Sequence, residues 1–114
     1  MSLSNLQLPQ VIDLFFQASN GHHTEAMLAC FTDDAVIRDD NRIFKGAAAI
    51  TGWSDKEYIG AKVQITILSC SSRGTELIVS TEVNGNYPEC PYYFDYTFTI
   101  EAGLIKKLQI SMSQ

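Results

Sequence analysis

The feature that most constrains this chain is a change of hydrophobic period near residue 61. Before it, apolar residues recur at helical spacing; after it, they alternate. Val11, Leu14, Phe15 and Ala18 stand at i, i+3, i+4 and i+7, which puts one apolar stripe on one face of a helix. Pro9 suits the first turn, where its missing N–H costs nothing, and Asn20-Gly21 can close the helix in the left-handed conformation. A second helix fits Thr24 to Phe31, packed through Met27, Leu28 and Phe31, so the chain begins with a helical hairpin. Ala35 to Asp39 is a brief strand. A polar loop follows, and then Gly46 to Tyr58, whose Ala47 to Ala49 run favours helix although Gly52 weakens it.

From Ala61 the alternation takes over. Val63, Ile65 and Ile67 share one face of a strand, a Ser-Ser-Arg-Gly turn follows, and Leu77, Val79, Thr81 and Val83 share a face of the next. Asn84-Gly85 has the composition of a type I′ hairpin. Phe94, Tyr96, Phe98 and Ile100 line a third strand, and Ala102-Gly103 turns the chain into a last one, Leu104 to Met112. Helices first and a curved antiparallel meander afterwards is an α+β plan in which N-terminal helices cover one face of a sheet. With 114 residues there is room for one domain, 1–114, and no room for a two-domain cleft enzyme.

Charge narrows the partners. Thirteen acidic against eight basic residues leave a formal charge of −5, the wrong sign for tracking a phosphate backbone, so no nucleic acid is expected. No apolar run reaches the ~20 residues of a membrane span, and MSLSNLQLPQ lacks a basic segment followed by an apolar one. The expectation is a soluble cytoplasmic protein. Cys30, Cys70 and Cys90 are odd in number and show no C-x-x-C spacing, which signals neither a disulfide framework nor a zinc site. Glycine-rich phosphate loops, a Ser-His-Asp order and H-E-x-x-H are missing from the sequence, so neither a cofactor nor a metal is implied. His22 and His23 are adjacent and point in different directions at a helix start.

Cys30-Phe31-Thr32-Asp33-Asp34-Ala35-Val36 resembles the aromatic, x, Asp, Asp, Ala signature that ends the helical hairpin of the nuclear transport factor 2-like superfamily. That superfamily includes ketosteroid isomerases, scytalone dehydratase and SnoaL-like polyketide cyclases. Phe44-Lys45-Gly46 followed by Ile50 and Trp53, the Asp95-x-x-Phe98 strand and the Gly103-Leu104-Ile105 turn agree in order. The resemblance covers nearly the whole chain. It implies a cone-shaped half-barrel with helices closing the mouth around an apolar pocket, and an outer sheet face used for homodimerisation. Enzymes, binding domains and interaction modules all occur on this fold, so the fold alone does not choose among them.

Four of the seven aspartates fall between positions 33 and 40. Asp33 and Asp34, at a helix-to-strand junction, read as turn formers. Strand alternation puts Ala35, Ile37 and Asp39 on one face. Asp39 lies five residues past Asp34, the offset at which the ketosteroid isomerases carry their proton-shuttling base. Resemblance therefore implies Asp39 as a general base, its pKa raised by an apolar cone. The alternative is a solvent-facing Asp39 paired with Arg38 or Arg42. The family's helix-borne tyrosine donor falls on Leu14, beside Phe15 and Phe16, and no hydroxyl stands there. Its second donor falls on Tyr96, whose phenol is protonated at neutral pH. The acid–arginine–acid set of limonene epoxide hydrolases has no counterpart legible in this sequence.

Tyr87 to Phe98 holds six of the twelve aromatic residues. Tyr92, Phe94, Tyr96 and Phe98 share a strand face and, with Trp53 and Phe15, either line a pocket for an apolar small molecule or simply form core and interface. Tyr93, on the opposite face, suits a subunit contact. The reading is a small-molecule pocket protein. Asp39 and Tyr96 are the candidate catalytic pair, Phe15, Trp53, Phe94 and Phe98 the candidate substrate-binding residues, and proton transfer on a carbonyl compound the candidate reaction. The alternative is a non-catalytic binding or dimerisation module.

Overall fold

A computed structural model describes residues 8–113; the stretch 1–7, read above for a leader, lies outside them. Three helices, α1 (Gln10–Asn20), α2 (Thr24–Leu28) and α3 (Gly46–Glu57), pack on one sheet. Its strands are β1 (Phe31–Asp39), β2 (Arg42–Lys45), β3 (Gln64–Arg73), β4 (Glu76–Asn84), β5 (Tyr92–Glu101) and β6 (Leu104–Met112). Their order is β2-β1-β6-β5-β4-β3 in a curled, unclosed sheet. Neighbours run antiparallel except β1 and β6, which are parallel. The sheet is therefore mixed rather than a pure meander. Among the described residues no helix is long and apolar enough to cross a membrane.

The helices cover the concave face. Helix α1 begins after Pro9, whose carbonyl accepts from the Ile12 and Asp13 N–H groups. It buries Ile12, Phe15, Phe16, Ala18 and Ser19, while Leu14 is 46% exposed. The expected stripe is thus rotated. Residues 12, 15, 16 and 19 satisfy the helical period equally well, and two aromatic side chains outweigh Val11 and Leu14 in apolar area. Phe15 and Phe16 meet Tyr96 and Phe98 of β5 at ring-centroid distances of 5.3 to 6.2 Å. The Ser19 hydroxyl is tolerated at zero exposure because it donates back to the Phe15 carbonyl at 2.8 Å.

Element boundaries differ from expectation in several places, among them the expected polar loop after Asp39, most of which is β2. Helix α2 stops at Leu28, and β1 opens at Phe31, so Asp33 and Asp34 belong to a strand and not to a turn. That strand is irregular against β6, pairing Phe31 with Ile105 and then Val36 with Lys107. The bulge throws Asp34 outward to meet Lys106 at 3.5 Å. A 3₁₀ turn, Ile59–Ala61, and Lys62 at φ 60° delay β3 to Gln64. β3 runs through the expected Ser-Ser-Arg turn as far as Arg73.

Asn84-Gly85 does not make a type I′ hairpin. Gly85 has φ 159°, Asn84 lacks the positive φ that turn requires, and the chain wanders through Tyr87, Pro88 and a cis Cys90-Pro91 bond before β5. Primed turns form elsewhere. Asp40 (φ 53°) and Asn41 (φ 65°) join β1 to β2, and Ala102 (φ 53°) and Gly103 (φ 79°) join β5 to β6.

Candidate functional site

Asp39 ends β1 on the concave side, where Ala35 and Ile37 are fully buried ahead of it. Its side chain is 22% exposed. Helix α3 crosses above, and the Trp53 indole Nε1–H donates to Asp39 Oδ2 at 2.9 Å. Arg42, just past the Asp40-Asn41 turn, reaches the same oxygen at 3.8 Å. Oδ1 carries no hydrogen bond among the described residues. Of the two earlier alternatives for Asp39 the geometry contains a part of each: it faces inward, and it does pair with Arg42, but not with Arg38.

Burial is the largest influence on Asp39 and raises its carboxyl above the usual carboxylate range, against the lowering effects of the Trp53 hydrogen bond and the Arg42 charge. The neighbouring Glu57 and Asp40 charges add to desolvation, and Arg42 is divided. Its guanidinium makes a two-pronged contact with the Glu57 carboxylate at the end of α3, and that contact holds Glu57 below its ordinary pKa. Arg42 also lies over the Phe44 ring, 5.4 Å from its centroid.

Asp39 borders a cavity of about 230 Å³. It is lined by Trp53, Tyr58, Val63 and Val83, by Tyr92, Phe94, Tyr96 and Ile110, and by Glu57, Tyr87 and Pro88. Candidate residues Asp39, Tyr96, Trp53 and Phe94 therefore meet around one space. Phe15 and Phe98 do not reach it: both are fully buried behind the wall, Phe15 stacked on Tyr58 at 6.1 Å and edge-on to Phe98 at 5.5 Å. Tyr93 faces the other way and is 48% exposed. His22 is occupied by the backbone, its Nε2 lying 2.9 Å from the Val63 carbonyl, and His23 precedes α2.

Four tyrosines line the cavity, and three of them, Tyr96, Tyr58 and Tyr87, have raised pKa values. Tyr96 is 2% exposed, and burial first, then the neighbouring Tyr58, drives its pKa well up. Tyr58 is raised by burial too, and its hydroxyl donates to Ser19 Oγ at 2.8 Å. Tyr87 donates to the Glu57 carbonyl at 2.7 Å, and burial together with the Asp39 charge pushes it up to about 12. All three are neutral donors at physiological pH.

Tyr58 and Glu57 escaped the sequence reading, which met Arg42 only as a partner for a solvent-facing Asp39 and Tyr87 only as one of an aromatic run. Tyr87 lies in an aperiodic loop, and Arg42 and Glu57 are fifteen residues apart. An acid–arginine–acid set, Asp39, Arg42 and Glu57, does exist, assembled by a turn and a helix end rather than along one strand. Among the described residues no group of three or more His, Cys, Asp or Glu side chains is placed to hold a metal.

A larger cavity lies elsewhere. It is a groove of about 820 Å³ between α1, α2 and the β5–β6 turn, walled by Val11, Leu14, Ile100 and Leu104. Its described lining has His23 and Cys30 but no carboxylate and no phenol, so the pairing of a carboxylate with phenols occurs at the smaller cavity.

The curled sheet and its covering helices define the nuclear transport factor 2-like α+β class. A family model for the SnoaL-like domain matches residues 12–108, and the chain belongs to that family. No curated protein matches it by sequence. Among solved structures, a proposed polyketide cyclase from Sinorhizobium meliloti is 30% identical, with 91% of this chain and 95% of that one covered and a TM-score of 0.85. SalBIII, an epoxide hydrolase/cyclase-like enzyme of pyran ring formation in the polyether salinomycin, is 17% identical over 92% and 89%, with a TM-score of 0.81. RV0760c from Mycobacterium tuberculosis, solved with estradiol-17beta-hemisuccinate, is 19% identical over 94% and 95%, with a TM-score of 0.79. The last two likenesses are of fold.

Proposed function

We propose that this protein is a cytoplasmic, cofactor-independent isomerase, cyclase or dehydratase acting by proton transfer on an apolar, carbonyl-bearing metabolite. The observation that supports it is that Asp39 and Tyr96 line one cavity: a carboxylate with one oxygen free of hydrogen bonds among the described residues, and a neutral phenol that also contacts Tyr58. Asp39 Oδ1 takes the proton from carbon next to the substrate carbonyl. The electron pair moves onto oxygen, where Tyr96 donates a hydrogen bond to the enolate, and Asp39 returns the proton to another atom. Trp53 and Phe94 flank the substrate, while Phe15 and Phe98 act from behind as rigid backing. A raised Asp39 pKa suits a base that must also give its proton back. Exchange of deuterium from water into the α position of a cyclic ketone tests the step: Asp39→Asn should abolish exchange and keep ketone binding, and equal loss of both contradicts a catalytic role.

One observation favours the non-catalytic binding module instead. The resemblance puts the family's first oxyanion donor at Leu14, beside Phe15 and Phe16, and none of the three has a hydroxyl. Ketone binding by wild type without any exchange would select that reading. In either case the outer sheet face, where Ile43 is 64% and Tyr93 48% exposed, is read as a homodimer surface. Light scattering should give twice the chain mass, reduced to one by Tyr93→Glu; a monomeric wild type contradicts it.

A further inference from the structure

β1 and β6 run side by side only as far as Asp39 and Ile110. There the chain turns away at Asp40-Asn41, while β6 continues, paired to β5 through Ser111 with Asp95 and Met112 with Phe94. The departure of β1 leaves a notch of about 370 Å³ at the end of the sheet. Asp39, Glu57, Tyr92, Phe94 and Ile110 border both the notch and the inner cavity, so the two spaces adjoin at the carboxylate.

Their chemistry differs. The inner cavity is apolar with phenols; the notch is bordered by Arg38, Asp40, Asn41, Gln109 and Ser111. Beyond Ile110 the edge of β6 that β1 has left has no strand partner among the described residues, so it offers backbone N–H and C=O groups as well. The lining holds three carboxylates against two guanidiniums, one negative charge in excess, which disfavours an anionic tail. Arg42 is engaged by Glu57 and Asp39, and Arg38 and Asp40, which form no ion pair among the described residues, oppose each other. An anionic group in the notch meets three carboxylates, and a cationic one meets two guanidiniums. An inner cavity of about 230 Å³ also falls below the ~300–1,000 Å³ usual for drug-sized ligands, so a larger molecule must leave part of itself outside.

We infer that the substrate is amphiphilic: a compact apolar carbonyl head in the inner cavity, its reacting carbon at Asp39, and an uncharged amide or hydroxyl tail hydrogen-bonded in the notch. This rests on the proposed function, whose substrate class it narrows. Free strand edges and amide side chains match a neutral tail because each donor and acceptor can be satisfied without burying a charge.

The test uses three probes with one bicyclic ketone head: bare, with a hydroxyalkyl amide tail, and with an alkyl carboxylate tail. Calorimetry on the full chain should show the amide probe binding at least about fivefold tighter than the bare head, and the carboxylate probe no tighter. In the double variant Gln109→Leu, Ser111→Ala, checked for an unchanged circular dichroism spectrum, amide and bare probes should bind alike. Equal binding of all three probes to wild type, preference for the carboxylate, or an amide advantage that survives the double variant overturns the inference and leaves the proposed function standing. Failure of all three probes to bind overturns both.

Discussion

Trp53 Nε1–H and Asp39 Oδ2, 2.9 Å apart, tie the middle of α3 to the last residue of β1. The bond does two things at once. It fixes which carboxylate oxygen is engaged, and it lowers a pKa that burial raises. Replacing Trp53 by Phe keeps an aromatic side chain and removes the donor. The midpoint of the Asp39 carboxyl should move further up, read by carbon-detected NMR titration, and ketone exchange should follow the same shift. A midpoint that stays or falls contradicts the role assigned to the indole.

Asp39 carries a stability cost with a definite sign. Its folded pKa lies above the unfolded value, so its contribution is favourable below the unfolded pKa and is lost as pH rises through the folded one. Asp39→Asn should therefore raise the thermal midpoint at neutral pH, with the gain shrinking toward zero as the buffer is taken below the ordinary aspartate range. A variant less stable than wild type at pH 7 would show that the Arg42 and Trp53 contacts outweigh desolvation after all.

Tyr96→Phe isolates one hydroxyl. The ring stays in the core between Phe16 and Phe98, and only the donor goes. Exchange into a bound ketone should slow by about 10²–10³, the loss typical of one oxyanion donor, with ketone affinity changed little. Unchanged turnover removes Tyr96 from the chemistry.

Phe15 and Phe94 separate wall from backing. Phe15 is fully buried among Phe16, Phe31, Tyr58, Tyr96 and Phe98, so Phe15→Ala should destabilise by about 3–5 kcal/mol in a urea titration. Phe94 is only partly buried and borders the cavity, so Phe94→Ala should cost less stability and more ligand affinity. The reverse order would place the pocket on the wrong side of the sheet.

Ala102 sits at φ 53°, a conformation disfavoured for any residue with a Cβ. Ala102→Gly should stabilise the chain by about 1 kcal/mol through relief at the β5–β6 turn, less the extra freedom glycine gives the unfolded chain. An unchanged or lower urea midpoint would mean that the entropy term wins.

How much of this was legible beforehand depends on whether local pattern or long-range closure decides. The alternation in Phe94, Tyr96, Phe98 and Ile100 is local, and β5 formed where expected; the Ala-rich run did likewise for α3. The face of α1 was not decidable locally, because two stripes one residue apart both fit the period. The contact of Phe16 with Tyr96, eighty residues away, makes the choice. Asp33 and Asp34 look like turn residues because nothing nearby shows the bulge that carries them into β1. The same limit applies at the site. Asp39 was readable from alternation and from its offset within the family signature. Its partner Arg42 lies within a turn's reach, but Glu57 and Tyr87 arrive only when α3 and the β4–β5 connection close over the cavity.

The central claim is that the Asp39 carboxylate moves a substrate proton. Deuterium exchange into a cyclic ketone, followed by NMR for wild type and Asp39→Asn at matched ketone occupancy, addresses it most directly. Exchange in wild type and its loss by at least about a hundredfold in the variant is the expected result. Equal exchange in both, or binding with no exchange in wild type, contradicts it.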